Sequence, residues 1–166
     1  MRRISALLLA SLLALTLAAP AFAATTIPVR AFVKENFERA PSDRPCEFDE
    51  ATEAVSCFGF GNAKRFGPLT SVIVFASNGE TTRTLTLRDG STVILEETYD
   101  NFRTPGKSGE APGIFHSFGN PGVLTGTFEI VGGTGALEGA SGSGTIKHIV
   151  AGNTRQIFFT GTLTLP

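Results

Sequence analysis

The sequence predicts an all-β domain, and we expect its strands to close into an eight-stranded antiparallel β-barrel. Short runs rich in Thr, Val, Ile and Phe are separated by turn-forming dipeptides, of which Asn78-Gly79 and Asp89-Gly90 are the clearest. No apolar spacing of helical period follows residue 23. Closing such a meander into a barrel removes the exposed strand edges that would otherwise promote aggregation.

The first 23 residues have the pattern of a signal peptide. Arg2 and Arg3 precede an apolar run at residues 4–18, and Ala21-Phe22-Ala23 supplies the small residues of a cleavage site. We therefore expect cleavage after Ala23, a secreted or periplasmic protein, and one domain at residues 24–166 with no attachment to the membrane. Without the two arginines, 12 basic residues remain against 15 acidic ones, a net charge of about −3. No basic patch stands out, so we expect no nucleic-acid partner.

The two cysteines, Cys46 and Cys57, are predicted to form a disulfide, because an even count in an exported chain indicates pairing. By chain entropy such a short loop stabilises the fold by roughly 3 kcal/mol at most. The alternative is a pair of metal ligands, but no His lies nearby to complete a zinc site. The acidic residues at positions 47, 49, 50 and 53 lack the spacing of a calcium loop, so we expect no metal and no cofactor.

The remaining runs are assigned as strands. A first strand covers residues 27–33, and a hairpin that turns at Ala51-Thr52 places the two cysteines opposite each other before its second arm continues through residues 58–61. Residues 100–122 are rich in Gly and Pro and are expected to be a long loop with a short extended piece at 114–118. The other strands are expected at residues 71–77, 81–88, 91–99, 123–131, 142–150 and 155–165.

Two-residue turns fix the expected register, and the register decides which side chains face inward. A turn at Gly152-Asn153 places His148 opposite Ile157 on an inward face shared with Ile146, Val150, Phe159 and Leu163. A turn at Asp89-Gly90 places Arg83 opposite Glu96, on a face with Leu85, Leu87, Ile94, Val72 and Val74. The other face of that meander carries Ile73, Phe75, Val93, Leu95, Glu97 and Tyr99. Both faces are partly apolar, so the sequence leaves open which one is inside.

A few polar residues are candidates for binding or chemistry. His148 is a candidate general acid or base inside an apolar barrel, although a core histidine bonded to a neighbour explains the same pattern. We interpret Arg83 and Glu96 as an outward cross-strand ion pair, worth under about 1 kcal/mol; facing inward, they would belong to a pocket.

The end of the meander offers a second group of candidates. Glu97 and Tyr99, with Asp100 and Arg103, either line a barrel mouth or form a solvated rim. His116, between two phenylalanines of the long loop, is either a lid residue or part of an apolar anchor. The sequence contains no nucleophile elbow, phosphate loop or zinc spacing.

The segment at residues 129–139, with Val131-Gly132-Gly133-Thr134-Gly135 at its centre and Gly139 at its end, resembles known barrel proteins. The Val-Gly-Gly-Thr-Gly run is similar to that of plant dirigent proteins, and the Gly132 to Gly139 spacing to that of allene oxide cyclases. Many bacterial secreted proteins resemble the same allene oxide cyclase/dirigent-like barrel family. Leu137 stands where dirigent proteins usually have an aromatic residue. The glycines themselves explain a tight reversal at the barrel rim.

The resemblance implies an eight-stranded antiparallel barrel, a trimer, and a site for a hydrophobic reactive intermediate. Three functions follow as hypotheses. The first is a barrel that binds a small hydrophobic molecule without chemistry, since small barrels often enclose one ligand. The second is an enzyme that guides cyclisation or coupling, with His148, Tyr99 or Glu97 as the polar residues that assist the reaction. The third is a packed structural or interaction module. A filled interior would favour the third hypothesis. Buried polar groups in mutual contact would favour the second, whereas an apolar cavity with one polar mouth would favour the first.

Overall fold

A computed structural model describes residues 24–36, 46–100, 102–103, 110–111, 121–151 and 154–166, and these residues are almost entirely β-structure. The predicted signal peptide, the expected extended piece at 114–118 and His116 lie outside these residues. The described strands are β1 (Thr25–Asn36), β2 (Cys46–Asp49), β3 (Ala54–Ala63), β4 (Gly67–Phe75), β5 (Thr81–Leu87), β6 (Thr92–Tyr99), β7 (Phe102–Arg103), β8 (Glu110–Ala111), β9 (Gly122–Thr134), β10 (Ser141–Ala151) and β11 (Thr154–Leu165).

Eight of these strands close into an antiparallel barrel, which confirms the predicted fold class. The order around the wall is β10-β11-β1-β3-β4-β5-β6-β9, and β9 also pairs with β10 to close the ring. The short strands β2, β7 and β8 extend the same sheet at one end of the barrel. Alternation of buried and exposed residues along each long strand gives one face to the interior and one to solvent.

The hairpin at the start of the domain and its disulfide are confirmed. Cys46 of β2 lies directly opposite Cys57 of β3, and the two sulfur atoms are bonded. Cys57 is fully buried against Ile73 and Phe75, so the disulfide joins β2 to an apolar cluster inside the barrel. Strand β2 therefore extends the wall along the part of β3 that β1 does not reach.

The expected register around the two Asx-Gly turns is wrong by one residue. Each turn has three loop residues rather than two: the Gly79 N–H donates to the Ala76 carbonyl and Gly79 takes positive φ, while Asn78 does not. This is a type I turn followed by a glycine bulge. The same hydrogen bonds recur at Leu87 and Gly90. The extra residue in each loop moves the facing strand by one position.

That shift decides the faces that the sequence left open. Arg83 lies opposite Leu95, not Glu96, and Ile73 lies opposite Arg83. Because a one-residue slip moves every side chain to the other face of its strand, the two expected faces are mixed. The interior receives Ser71, Ile73, Phe75, Arg83, Leu85, Val93, Leu95 and Glu97, whereas Val72, Val74, Ile94 and Glu96 face outward.

The interior has an apolar end and a polar end. The apolar end, beside the turn between β5 and β6, is filled by aliphatic and aromatic side chains around a cavity of about 50 Å³. A water molecule occupies about 30 Å³ in the liquid, so this space does not hold a drug-sized ligand. The polar end lies beside the turn between β4 and β5, and contains the buried charged residues described below.

The glycine-rich reversal between β9 and β10 covers the apolar end. Its centre is a single 3₁₀ turn, Gly135–Leu137, and the buried Leu137 side chain lines the apolar cavity. The Ala136 N–H donates to the Ser91 hydroxyl at 3.0 Å, which joins the turn to the residue directly before β6. A Cβ atom at Gly133 would lie 2.2 Å from the Leu137 carbonyl oxygen. The reversal is thus architectural, as expected, and its leucine belongs to the core.

Two adjacent glycines in the reversal should respond differently to substitution. Gly133→Ala forces a methyl group against the Leu137 backbone, and we expect it to lower the free energy of unfolding by about 1–3 kcal/mol. Gly132→Ala is the matched control, because its Cβ would meet only Ile94 at 3.9 Å; we expect a change within about 1 kcal/mol. Urea denaturation of both variants measures the difference. Equal losses would show that the close approach at Gly133 does not constrain the turn.

Candidate functional site

A buried arginine organises the polar end of the barrel. Arg83, in the middle of β5, is fully buried, and its guanidinium bonds to two carboxylates. Its Nε donates to Glu97 Oε1 at 2.6 Å, and its Nη1 donates to Glu35 Oε1 at 2.6 Å and to the Ser71 hydroxyl at 2.8 Å. Four strands, β1, β4, β5 and β6, are therefore connected through one side chain.

Glu97 links this arginine to a tyrosine and a histidine. The Tyr99 hydroxyl donates a short hydrogen bond to Glu97 Oε2, and the Tyr99 hydroxyl oxygen lies 3.4 Å from His148 Nε2. The two rings meet edge to face, with centroids 5.1 Å apart. Because the tyrosine proton is directed to the carboxylate, the His148 Nε2 is the donor in its contact with Tyr99, and Nδ1 carries the lone pair. Among the described residues, Nδ1 has no hydrogen-bond partner.

A second arginine balances the charge. Arg155 of β11 is fully buried, and its Nη1 lies 3.4 Å from Glu35 Oε2. Glu35 thus lies between two guanidinium groups, and the cluster contains two arginines and two carboxylates. Equal numbers of opposite charges reduce the large cost of removing ions from water. Phe159 covers the Arg83 guanidinium from the apolar end, 5.5 Å from its ring centroid.

The surroundings shift the pKa values of these groups. Burial lowers the pKa of Arg83, but the charges of Glu97 and Glu35 outweigh that effect and raise it above its ordinary value. Burial and the charge of Glu97 raise the pKa of Tyr99 well above 10.0. Burial, and then the charges of Arg155 and Arg83, lower the pKa of His148 well below 6.5. At neutral pH, tyrosine and histidine are both uncharged beside a charged but balanced set of ions.

A pocket of about 630 Å³ reaches this cluster from the rim. It lies where β6 extends past the start of β5, beneath the turn between β4 and β5. Glu97 and Tyr99 form part of its wall together with Phe75, Ala76, Asn78, Gly79, Glu80, Thr81, Thr82, Glu96 and Thr98. Its volume falls within the range of small-molecule sites, which run from about 300 to 1,000 Å³. The pocket therefore combines an apolar contact surface with the outer side of a buried polar cluster.

The structure brings together most of the predicted site residues, but not all of them. His148 faces inward opposite Ile157, as expected from the Gly152-Asn153 turn, and lies next to Tyr99. The expected outward ion pair between Arg83 and Glu96 is wrong: the arginine is inside, and Glu96 is exposed. Glu96 still lines the rim pocket. The Asp100 side chain accepts a hydrogen bond from Thr125 outside the cluster.

Sequence reasoning missed three members of the cluster. The expected first strand, residues 27–33, ends before Glu35, although Glu35 continues the alternation of the inward residues Ala31 and Val33 on β1. Arg155 precedes Ile157 by two positions on the same strand, so the inward face already predicted there could have included it. Ser71 was the third, two positions before Ile73 on β4. In each case the alternation of the strand was the available signal.

Within the described parts of the chain, no three His, Cys, Asp or Glu side chains are arranged to hold a metal ion. No described helix is long and apolar enough to cross a membrane.

The lowered pKa of the buried His148 should make the stability of the protein depend on pH. The unfolded chain takes up a proton near pH 6.5, whereas the folded chain resists it, so the unfolded state binds more protons below that pH. We expect stability to fall from about pH 6.5 downward, at up to about 1.36 kcal/mol per pH unit. Urea denaturation between pH 7.5 and 5.5 measures the slope, and His148→Gln should reduce it. An unchanged slope in that variant would mean that other groups titrate in this window.

The fold is similar to that of a solved dirigent protein. A pterocarpan synthase dirigent protein superposes with a TM-score of 0.51 at 11% sequence identity, covering 89% of each chain. No family model matches the sequence, and no curated protein matches it. At this level of identity the likeness concerns the fold, and it establishes a dirigent-like β-barrel.

Proposed function

We propose that the protein binds a small, largely apolar molecule in the rim pocket, and that it does so outside the cytoplasm. The observation that carries this proposal is the pocket of about 630 Å³ with Tyr99 and Glu97 in its wall. Phe75 and Ala76 offer apolar contact to the body of the molecule. The tyrosine oxygen offers an acceptor for one hydroxyl or amine donor of the ligand, and the fully buried Glu97 carboxylate orients that tyrosine. The disulfide is compatible with an oxidising compartment.

The apolar end is a weaker candidate for the ligand site. Its cavity of about 50 Å³ is lined by apolar side chains and Thr162, and no polar atom faces it to orient a ligand. A molecule of drug-like size would have to displace Leu137 and its turn. The rim pocket needs no such rearrangement. We therefore propose that the ligand site lies in the rim pocket at the polar end, and not at the centre of the barrel.

Obstruction of the pocket tests the proposal. As a probe we choose 2-naphthol, a neutral aromatic molecule with one hydroxyl donor. Ala76→Leu places bulk into the pocket without touching the buried ions, and we expect it to weaken binding at least about tenfold. Ser77→Leu is the matched control, since that exposed neighbour does not line the pocket. Fluorescence titration measures both. Equal affinity in Ala76→Leu and the unmodified protein would place 2-naphthol elsewhere, and no binding at all would reject this ligand class.

A second variant tests whether the Tyr99 hydroxyl orients the ligand. Tyr99→Phe keeps the ring and removes the oxygen, so naphthalene should bind the variant as well as the unmodified protein. The affinity for 2-naphthol should fall by about 0.5–1.5 kcal/mol, the typical contribution of a hydrogen bond. Native mass spectrometry of the purified protein complements this measurement by identifying any natural ligand that co-purifies. If both probes lose affinity equally, the hydroxyl does not orient the ligand.

One observation favours an enzyme as the second candidate. The Tyr99 hydroxyl lies between Glu97 and the neutral His148, which is an arrangement able to pass a proton to or from a bound phenol or carbonyl group. Such a site could guide cyclisation or coupling of a hydrophobic intermediate.

The exchange of the C1 hydrogen of 2-naphthol for deuterium in D₂O tests the enzymatic candidate, because this exchange is accelerated when the phenol loses its proton. If the protein is an enzyme of this kind, exchange should be faster in its presence, and His148→Ala should abolish the acceleration while binding is retained. NMR measures the signal of the exchanging hydrogen. If 2-naphthol saturates the protein but exchanges no faster than without it, the enzymatic candidate is rejected and only the binding function remains.

A further inference from the structure

The hairpin formed by β2 and β3 carries an exposed phenylalanine at the polar end of the barrel. Phe48 of β2 has 62% of its surface exposed. Because side chains alternate between the two faces of a strand, Phe48 lies on the same face of β2 as Cys46. The disulfide joins Cys46 to Cys57, whose side chain is fully buried in the interior. Phe48 therefore lies on the inward face of the wall, and yet most of its surface is open to solvent.

An apolar row connects Phe48 with the wall of the rim pocket. Val55 of β3 lies opposite Phe48 on one side and opposite Phe75 of β4 on the other. Phe75 is one of the residues that line the pocket. Neighbouring strands lie about 4.8 Å apart, so roughly 10 Å separates the backbone of Phe48 from that of Phe75. The row thus continues the apolar wall of the pocket onto the hairpin.

Tyr99 packs against the same part of the interior. Cys46, Val55 and Tyr99 are partly buried against one apolar cluster, which consists of Cys57, Ile73, Phe75, Leu124 and Val150. The proposed polar contact of the rim pocket and the two arms of the hairpin are therefore supported by a single packed surface. A molecule whose hydroxyl group bonds to Tyr99 has an apolar surface along which its other end can lie.

The disulfide holds the short arm of the hairpin in this position. Strand β2 has four residues and, within the described chain, pairs with β3 alone. A two-stranded ladder of this length is marginally stable by itself. The bond to Cys57 fixes β2 two residues before Phe48, and in the turn after it the Asp49 carboxylate accepts a hydrogen bond from the Ala51 N–H at 2.9 Å. Phe48 is thus placed before a ligand arrives, which lowers the entropic cost of contact with it.

We propose that Phe48 is a second apolar contact for the ligand of the rim pocket, and that this ligand is an elongated molecule with a hydroxyl or amine at one end and an apolar group at the other. The inference rests on the proposed function, because it extends the same site. The donor end bonds to the Tyr99 oxygen, the body lies on Phe75, and the apolar end covers Val55 and Phe48. Burial of an exposed aromatic side chain by the ligand stabilises such a complex.

Two probes of different length test the inference. They are 2-naphthol and 6-benzyloxy-2-naphthol, which has the same donor and the same two rings with an apolar tail. We expect the longer probe to bind the unmodified protein at least about tenfold more tightly. Phe48→Ser should remove this advantage and leave the affinity for 2-naphthol unchanged. Phe60→Ser is the matched control, because Phe60 is 64% exposed but lies on the outward face of β3; it should change neither affinity.

Fluorescence titration measures the affinities, and circular dichroism confirms that each variant is folded. The inference is wrong if Phe48→Ser binds the longer probe as tightly as the unmodified protein does, or if Phe60→Ser loses as much affinity. The rim pocket itself still stands in that case, provided that Ala76→Leu weakens binding of 2-naphthol. If Ala76→Leu weakens neither probe, or if neither probe binds, the proposed function fails and the inference fails with it.

The position of the tail can be measured directly by NMR. We expect nuclear Overhauser effects between the benzyl ring of the longer probe and the methyl groups of Val55, since these lie beside Phe48 on the inward face of the hairpin. The 2-naphthol complex should lack them. Effects to Leu137 or Leu163 instead would place the tail in the apolar end of the barrel and would overturn the inference.

Discussion

The pairing of Arg83 with Glu35 and Glu97 is the constraint on which the polar half of this barrel depends. A guanidinium in the interior costs several kcal/mol to desolvate, and only close contact with anions offsets that cost. Here the planar fork bonds to carboxylates from two different strands and to a hydroxyl from a third. Removal of the arginine would leave two buried negative charges, and removal of either glutamate would leave Arg83 and Arg155 under-compensated. The positions of β1, β5 and β6 are therefore coupled through charge rather than through shape alone.

Such a cluster is not what stability by itself would select. Apolar residues of similar volume often replace buried ion pairs with no loss of stability, or with a gain. The apolar end of the same barrel shows that this chain can fill its interior with Leu, Val, Ile and Phe. The cost of the polar end is consistent with a role in binding, since buried polar groups that contact one another and meet a pocket are typical of functional sites. The interior is thus divided into an apolar, packed end and a polar end that meets the rim pocket.

Likeness to a dirigent protein at 11% identity shows how little of the sequence this fold requires. What it requires is alternation along eight strands and small residues where backbones approach closely. Gly126, Gly144 and Gly161 illustrate the second condition, because a Cβ atom at each would lie 2.1–2.3 Å from a carbonyl oxygen of the neighbouring strand. Interior residues are free to vary within those limits, so the polar cluster can differ between barrels that share one architecture.

The sequence by itself determined the β-class, the closed barrel, the disulfide and the inward position of His148, because alternation, turn residues and cysteine pairing are local properties. It did not determine which face of β4, β5 and β6 is inside. Asn78-Gly79 and Asp89-Gly90 fit both a two-residue turn and a three-residue turn with a bulge, and the choice changes every facing pair by one position. The tertiary structure decided this, and with it the partner of Arg83. Glu35 and Glu97 are 62 positions apart in sequence, and they meet at one arginine because the barrel closes. Contacts across a closed interior depend on all eight registers at once, so no single strand encodes them.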